Sequence, residues 1–287
     1  MKVSPVSFAS KSNLKTNNYS KNPISSISKQ ENDVFVSSKK AQNPSFTGLF
    51  KTNPILTSKH FTDDDLSNFI SFLYQKMDEE ISGIEKQSKT DVKKLRSFIK
   101  LGQKQDFKGY VRVKNLTQDG RDGLLKFGDL DEYNLPSRID ISYPNDPLKA
   151  IQTYTFDDMC HITRTYIDDN GIKSITVSQG EKPWSAIQRY PIDNSYKEIT
   201  FYPNGLRTVI LGKGIENSEK DAEIFLTFDK KDPQRCHYFE VNEDDADKVE
   251  HYTFNTKTNK WELAEMLDAS EAQEAFSNII SSLIPIK

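Results

Sequence analysis

The pattern of hydrophobic and polar positions begins as a helical one. From Leu66 onward, apolar residues recur at steps of three and four, the spacing of one helix face. Thr62 followed by three aspartates is typical of a helix start, because a hydroxyl caps free N–H groups and carboxylates favour the positive helix end. A polar run at 86–89 interrupts the stripe, and Thr90 with the next aspartate offers a second start. We predict two helices joined near that run, or alternatively one long kinked helix, within a helical segment at 61–103.

From Lys108 onward the apolar period changes to two. Short β-branched or aromatic segments, such as 110–113 and 124–127, are separated by turn residues such as Asp119-Gly120. The pattern continues to Trp261, with a segment about every 10–13 residues and no helical pattern in between. Closely spaced strands of this kind favour antiparallel neighbours joined by hairpins.

Helical spacing returns at the C-terminus. Asp268 or Ser270 can cap this helix, and Glu271 or Gln273 can complete a capping box. We expect its apolar face to pack on the sheet, with a partner-binding helix as the alternative. That face consists of Ala272, Phe276, Ile279, Ile280 and Leu283.

The sequence therefore predicts an α+β fold. A long antiparallel β-meander of hairpin repeats is preceded by a helical segment and closed by a C-terminal helix. We divide the chain into a tail at 1–60, the helical segment at 61–103 and the β-repeat domain with its helix at 104–287.

One internal repeat stands out in the strand region. A triplet of an apolar residue, threonine and phenylalanine recurs at spacings of 45, 27 and 26 residues, and a weaker copy, Ile175-Thr176-Val177, splits the longest gap. Because side chains alternate along a strand, the first and third residues share one sheet face and the threonine points to the other. The four copies are Tyr154-Thr155-Phe156, Ile199-Thr200-Phe201, Leu226-Thr227-Phe228 and Tyr252-Thr253-Phe254.

These segments resemble a known type of repeat. The run 154–176 looks like the tyrosine-aspartate (YD) repeat of Rhs-type proteins, and 199–207 is similar both to that repeat and to the hairpin units of MORN-like antitoxin proteins. The resemblance covers about residues 150–266 and implies β-hairpins with glycine in the turn and stacked aromatics. Glycine is absent from the turns near Cys160 and Asp229. An ordinary β-meander, which needs the same residues at hairpin spacing, is the alternative.

Charge is distributed unevenly along the chain. Nine lysines against two acids give residues 1–60 a charge of +7, so residues 61–287 carry -10 of the total of -3. The Ser/Asn/Lys-rich segment 1–50 has no sustained apolar period, and we predict a disordered tail. Its Pro44–Gly48 run resembles a segment near the N-termini of many uncharacterised bacterial proteins. The tail has no secretory h-region and no arginine. This favours a cytoplasmic location, with leaderless secretion as the alternative.

Composition narrows the classes of partner. No run of about 18 uncharged apolar residues occurs, so we predict no membrane span. The acidic balance of the folded part, including the loop at 243–247, argues against nucleic-acid binding, which needs a basic face. We expect protein partners; the sequence leaves the oligomeric state open.

Motifs for metal or nucleophilic chemistry are mostly incomplete. Cys160-His161 and Cys236-His237 suggest a metal site, but adjacent side chains at strand starts leave opposite faces, and neither C-x2-C nor H-x3-H spacing occurs. The run 168–171 lacks the first and twelfth ligands of a calcium loop and is typical of a hairpin turn. We predict no cofactor, no metal and two free thiols rather than a disulfide.

The expected function is a non-enzymatic binding or interaction module built on β-hairpin repeats. Trp184, His161 and His237 are the candidate surface contacts, and no catalytic residue is assigned. An enzyme of hydrolase-like type, with His161 or His237 beside strand carboxylates, is the first alternative. A leaderless secreted effector is the second.

Overall fold

The computed structural model describes residues 7–8, 62–117, 119–213, 221–242, 245 and 247–281. The predicted tail, apart from residues 7–8, therefore lies outside the described residues, as do most of the acidic loop at 243–247 and Leu283. The described residues form two α-helices, α1 (Asp63–Gln103) and α2 (Ala269–Ser281), and one turn of 3-10 helix at Pro233–Arg235. The strands are β1 (Ser7–Phe8), β2 (Tyr110–Val113), β3 (Gly123–Phe127), β4 (Arg138–Tyr143), β5 (Asp146–Phe156), β6 (His161–Ile167), β7 (Lys173–Gln179), β8 (Lys182–Arg189), β9 (Ser195–Phe201), β10 (Arg207–Lys213), β11 (Asp221–Phe228), β12 (His237–Val241), β13 (Lys248–Asn255) and β14 (Lys260–Asp268).

The strands β2 to β14 form one antiparallel meander in which each strand pairs with its neighbours in sequence. The order is linear from β2 to β14, so these two strands are the edges of an open sheet. The short strand β1 adds a parallel pairing, Ser7 with Asp221 at the start of β11. The predicted α+β layout is confirmed.

One continuous helix, α1, replaces the two joined helices that we predicted. Thr62 caps it in a reciprocal capping box with Asp65. The supposed second start lies inside the helix, where the Thr90 hydroxyl donates to the carbonyl of Lys86, at 3.0 Å. The polar run at 86–89 therefore does not mark a helix end.

Helix α1 crosses nearly the whole sheet. Its 41 residues extend about 60 Å at about 1.5 Å per residue, close to the roughly 58 Å that 13 strands span at about 4.8 Å spacing. Near its start, Ser67 accepts a hydrogen bond from the backbone N–H of Trp261 in β14, at 2.9 Å. Near its end, Phe98 packs against Tyr154 of β5. The sheet face towards α1 is called the inner face below.

Apolar contacts with the inner face occur in two clusters, at either end of α1. Leu73 and Met77, both almost fully buried, pack against strands β8 to β14, whereas Leu95 and Phe98 pack against β2 to β6. Burying each such side chain contributes about 1.5–3 kcal/mol. The helix therefore holds both halves of the sheet.

Helix α2 covers part of the opposite face, called the outer face. The neighbouring residues Tyr238 and Phe239 of β12 fall in different clusters, the first with α1 and the second with α2. Phe276 of α2 packs edge-on against Phe225, with ring centroids 3.8 Å apart. The Asp268 N–H donates to Glu271 Oε2, at 3.0 Å, so one predicted capping pair forms.

Candidate functional site

Three of the four triplets place their threonines in one cross-strand row on the outer face, and the fourth, Thr253 on β13, is on the same face. The apolar members, such as Tyr154 and Phe156, lie in the clusters under α1. The registers pair Thr155 with Thr163 and Thr200 with Thr208, and Thr208 with the next triplet threonine. This alternation is what the sequence predicted for the triplets. Six hydroxyl residues of the row run across β5 to β11: Thr155, Thr163, Ser185, Thr200, Thr208 and Thr227.

The weaker copy in β7 has the opposite phase. Thr176 pairs with Arg164, which faces α1, so this threonine is on the inner face. Ile175 and Val177 therefore point outward and interrupt the hydroxyl row with aliphatic side chains. The sequence alone could not show this, because a one-residue shift in register exchanges the two faces of a strand.

A second row beside the first completes an outer surface that the described helices leave uncovered. On β5 to β9 the side chains of both rows are half-buried, whereas Thr208 and Thr227 farther along are buried. We call this surface the outer patch. Its members are Thr153, Thr155, Thr163, Thr165, Ile175, Val177, Ser185, Ile187, Glu198 and Thr200.

Two of the three candidate contacts from the sequence lie together at one margin of this patch. The rings of His161 and Trp184 have centroids 4.5 Å apart. His161 Nδ1 lies 2.8 Å from Asp157 Oδ2, and the backbone N–H of His161 donates to the same carboxylate. That backbone hydrogen bond and the one with the ring lower the pKa of Asp157.

His161 is not an exposed surface residue, although we selected it as a surface candidate. It is only 7% exposed, because Trp184 lies against it. Its Nε2 is buried and has no hydrogen-bond partner in the described part of the chain. Trp184 is half-buried, so this pair supports the turn more than it presents a binding group.

The third candidate, His237, lies far from this pair, on β12. Its Nδ1 is 2.9 Å from Nε2 of His251 on β13, and His251 Nδ1 is 2.9 Å from Glu265 Oε1 on β14. Phe239 stacks on His251 with an interplanar angle of 5°. We call Glu265, His251 and His237 the histidine relay.

The relay has a fixed proton polarity when both rings are neutral. Glu265 accepts from His251 Nδ1–H, which leaves His251 Nε2 as the acceptor for His237 Nδ1–H. Burial, and then the neighbouring His251, lower the pKa of His237 to about 4. Burial also lowers the pKa of His251, although Glu265 opposes that effect. The free Nε2 of His237 is thus a neutral hydrogen-bond acceptor near pH 7.

Sequence reasoning selected His237 but missed His251 and Glu265 as its partners. His237 lies diagonally from His251 across the β12–β13 hairpin, and His251 pairs directly with Glu265. Finding them requires the register of three strands, including a bulge between His251 and Tyr252. The only available signal was that three strand histidines can each meet a carboxylate.

Buried charged groups attach the middle of α1 to the inner face. Lys197 Nζ donates to Glu80 Oε2 at 2.6 Å, and the Tyr154 hydroxyl donates to Asp91 Oδ1 at 2.8 Å. Burial alone would lower the pKa of Lys197, but Glu80 and Tyr190 raise it above its ordinary value. Asp91, which the sequence suggested as part of a second helix start, therefore faces the sheet.

Both cysteines are free thiols, as expected. Cys160 is exposed, whereas Cys236 is buried and burial raises its pKa to about 11. A thiol of that kind is a poor nucleophile. Among the described residues no group of three or more His, Cys, Asp or Glu side chains is arranged to hold a metal ion.

Comparisons with known proteins add little to this geometry. No protein-family model matches the chain, and no curated protein is significantly similar to it. One solved structure, of a protein of unknown function from Bacteroides fragilis, is 12% identical, with a TM-score of 0.12. The match covers 57% of this chain and 95% of that one. No described helix is both long and apolar enough to span a membrane.

Proposed function

We propose that this protein is a non-enzymatic interaction module that binds a protein partner through the outer patch. The observation that carries the proposal is the asymmetry of the sheet. The long helix α1 covers the inner face along its length, while α2 packs on the outer face near β11 to β14. The described elements leave the outer side of β5 to β9 open.

The chemistry of the outer patch suits a protein surface. Threonine hydroxyls donate and accept hydrogen bonds, and Ile175, Val177 and Ile187 add an aliphatic strip between them. β-Branched side chains on a sheet have few rotamers, so ordering them on binding costs little entropy. The only charged member, Glu198, lies at the margin in β9.

Site-specific photocrosslinking of the full chain in its native cells tests this proposal. A photoreactive phenylalanine analogue at Thr165 is expected to crosslink one dominant partner. The same analogue at Lys104, an exposed residue after α1, is the matched control. In the Thr165 background, Ile187→Lys should abolish the crosslink, because it replaces an aliphatic contact with a charged side chain that the partner would have to desolvate. Equal labelling from Thr165 and Lys104 would contradict the proposal.

The histidine relay supports a second candidate function, an enzyme of hydrolase-like type. A carboxylate that orients a histidine resembles the arrangement of a general base, here with one more imidazole in series. Hydrolysis of a small activated ester by the full chain, lost in His237→Ala and reduced at least tenfold in Glu265→Gln, would favour this candidate. Activity unchanged by both substitutions would remove it.

A further inference from the structure

Among the described residues, the outward N–H groups at the free edge of β14 are hydrogen-bonded only at the two ends of the strand. The Trp261 N–H donates to Ser67 Oγ at 2.9 Å, and the Asp268 N–H donates to Glu271 Oε2 at 3.0 Å. Both N–H groups are thus directed away from β13. Side chains from α1 and α2 thus cover the two ends of the edge, and the described helices do not cover the stretch of β14 between them.

A bulge brings two further residues into the same outward row. The register pairs Tyr252 with Leu263 and His251 with Glu265, so Ala264 has no partner in β13. Counting by twos from each capped end, the outward N–H groups between them belong to Leu263 and Met266. Neither of these two N–H groups has a hydrogen-bond partner in the described part of the chain, and the two residues are 52% and 46% exposed.

The charges along this edge select the kind of strand that fits it. Glu262 and Glu265 are on the outer side of β14, opposite Thr253 and His251. The nearby cations are already paired, Lys260 with Asp64 at 2.6 Å and Lys248 with Asp268 at 2.6 Å. A second copy of β14 would add two more carboxylates to this edge, whereas a basic strand would complement it.

We propose that the edge of β14 binds an extended basic segment of a partner protein as an additional β-strand, with lysine or arginine alternating with aliphatic residues. The backbone of the segment pairs with Leu263 and Met266, its aliphatic side chains lie beside these two residues, and its cations face Glu262 and Glu265. Strand addition of this type takes affinity from main-chain hydrogen bonds and specificity from alternate side chains. The inference rests on the proposed function, since it names a partner class for an interaction module.

A capped, fluorescein-labelled hexapeptide of alternating lysine and valine is the probe, titrated with the full chain and followed by fluorescence anisotropy. Two matched peptides are the controls, one with glutamate for lysine and one with the same sequence but N-methylated at alternate residues. The lysine peptide is expected to bind at least tenfold more tightly than either control, because one loses the charge and the other the hydrogen bonds. Equal affinity for the three peptides would overturn the proposal.

Two substitutions at one position isolate the backbone contact. Met266→Pro removes an outward N–H and no ladder hydrogen bond, so the edge strand tolerates it. It should weaken binding of the lysine peptide about tenfold, whereas Met266→Ala, which keeps the N–H, should cost about threefold or less. Equal affinities of the two variants would count against strand addition. If Met266→Pro does not fold, the N-methylated peptide provides the same comparison.

Charge is tested separately with Glu262→Gln. Glu262 accepts a hydrogen bond from Asn255 Nδ2 at one carboxylate oxygen and one from Thr258 Oγ1 at the other. In the variant the glutamine oxygen can accept from Asn255, and its amide group can donate to the Thr258 hydroxyl, which also accepts hydrogen bonds. At low salt the variant should bind the lysine peptide about threefold more weakly. Its affinity for the glutamate peptide should rise by no more than about threefold. An unchanged salt dependence would contradict the charge assignment.

The two proposals fail in different ways. Ile187→Lys lies in the outer patch, several strands from β14, and should leave peptide binding unchanged. Loss of the crosslink at Thr165 with peptide selectivity intact would remove the outer patch and keep the edge. Crosslinking with no peptide selectivity would remove the edge and keep the outer patch.

Discussion

At the scale of single residues, three hairpin turns share one hydrogen-bond pattern but differ at the strained position. In the turns at 157–161, 168–172 and 202–206, the first residue exchanges backbone hydrogen bonds with the fourth and fifth. The fourth residue has a positive φ, and it is glycine in the last two turns. In the first turn it is Cys160, with φ 62°.

Replacing Cys160 should therefore stabilise the protein. A left-handed backbone conformation costs a non-glycine residue about 1–2 kcal/mol. Glycine removes this strain, but it also makes the unfolded chain more flexible, which offsets part of the gain. Cys160→Gly should therefore raise the free energy of unfolding by roughly 0.5–1 kcal/mol. Gly171→Ala, at φ 78°, should lose about 1 kcal/mol. A Cβ at Gly171 would meet its nearest atom, Pro191 Cγ, at an ordinary 3.5 Å, so the cost is in the backbone.

Urea denaturation of the unmodified protein and of the glycine and alanine variants measures these differences in the free energy of unfolding. Cys160→Ala is the control, because it removes the thiol and keeps the Cβ that strains the turn. The strain argument fails if the glycine variant is no more stable than the alanine variant.

At the scale of elements, the antiparallel order of the strands and the faces of the four main triplets were predictable, and the register between strands was not. The triplet rule placed Tyr154 and Thr155 on the correct faces, since alternation needs only the local sequence. Thr176 does not follow this rule, because the alternation in β7 is shifted by one residue. The prediction of a second helix start in the middle of α1 was wrong, because Asp91 accepts a hydrogen bond from Tyr154 and does not begin a helix. The histidine relay was beyond reach for the same reason: it depends on register.

The histidine relay links three elements, β12, β13 and β14, and should make stability pH-dependent. The pKa of His237 is lowered from 6.5 to about 4 in the folded protein, so the unfolded chain binds more protons between these values. The free energy of unfolding is therefore highest above about pH 6.5, where His237 is neutral in both states, and it falls as the pH decreases towards 4. Allowing for partial exposure of His237, we expect a loss of about 1–2 kcal/mol between pH 7 and pH 5.

Urea denaturation at pH 7 and pH 5 checks this expectation, with the double variant His237→Gln/His251→Gln as control. The double variant starts from lower stability, so the comparison is between the pH dependences and not the absolute values. An equal loss in both proteins would assign the effect to other groups. The window stays above the range in which the carboxylates of Asp157 and Glu262 titrate, because their pKa values are lowered.

At the scale of the whole molecule, α1 connects the two ends of the 13-strand meander. A chain of hairpins in which each strand contacts only its neighbours resembles a one-dimensional array, and its two ends can unfold separately. Here a single helix packs on both apolar clusters, with Leu73 in one and Leu95 in the other. Polar contacts such as Lys197 with Glu80 connect the helix to the sheet between them.

The helix should therefore make the two halves of the sheet unfold together. Trp261 is buried in the cluster of Leu73, so in a Trp184→Phe background its fluorescence reports that half alone. Leu95→Ala, in the other cluster, is expected to cost about 2–4 kcal/mol. It should lower the urea midpoint of Trp261 fluorescence as much as that of far-ultraviolet circular dichroism. Leu73→Ala, in the reporter's own cluster, is the control for a local effect. If Leu95→Ala left the fluorescence midpoint in place while the dichroism transition broadened or split, the halves would be independent, and α1 would only cover the sheet without coupling its ends.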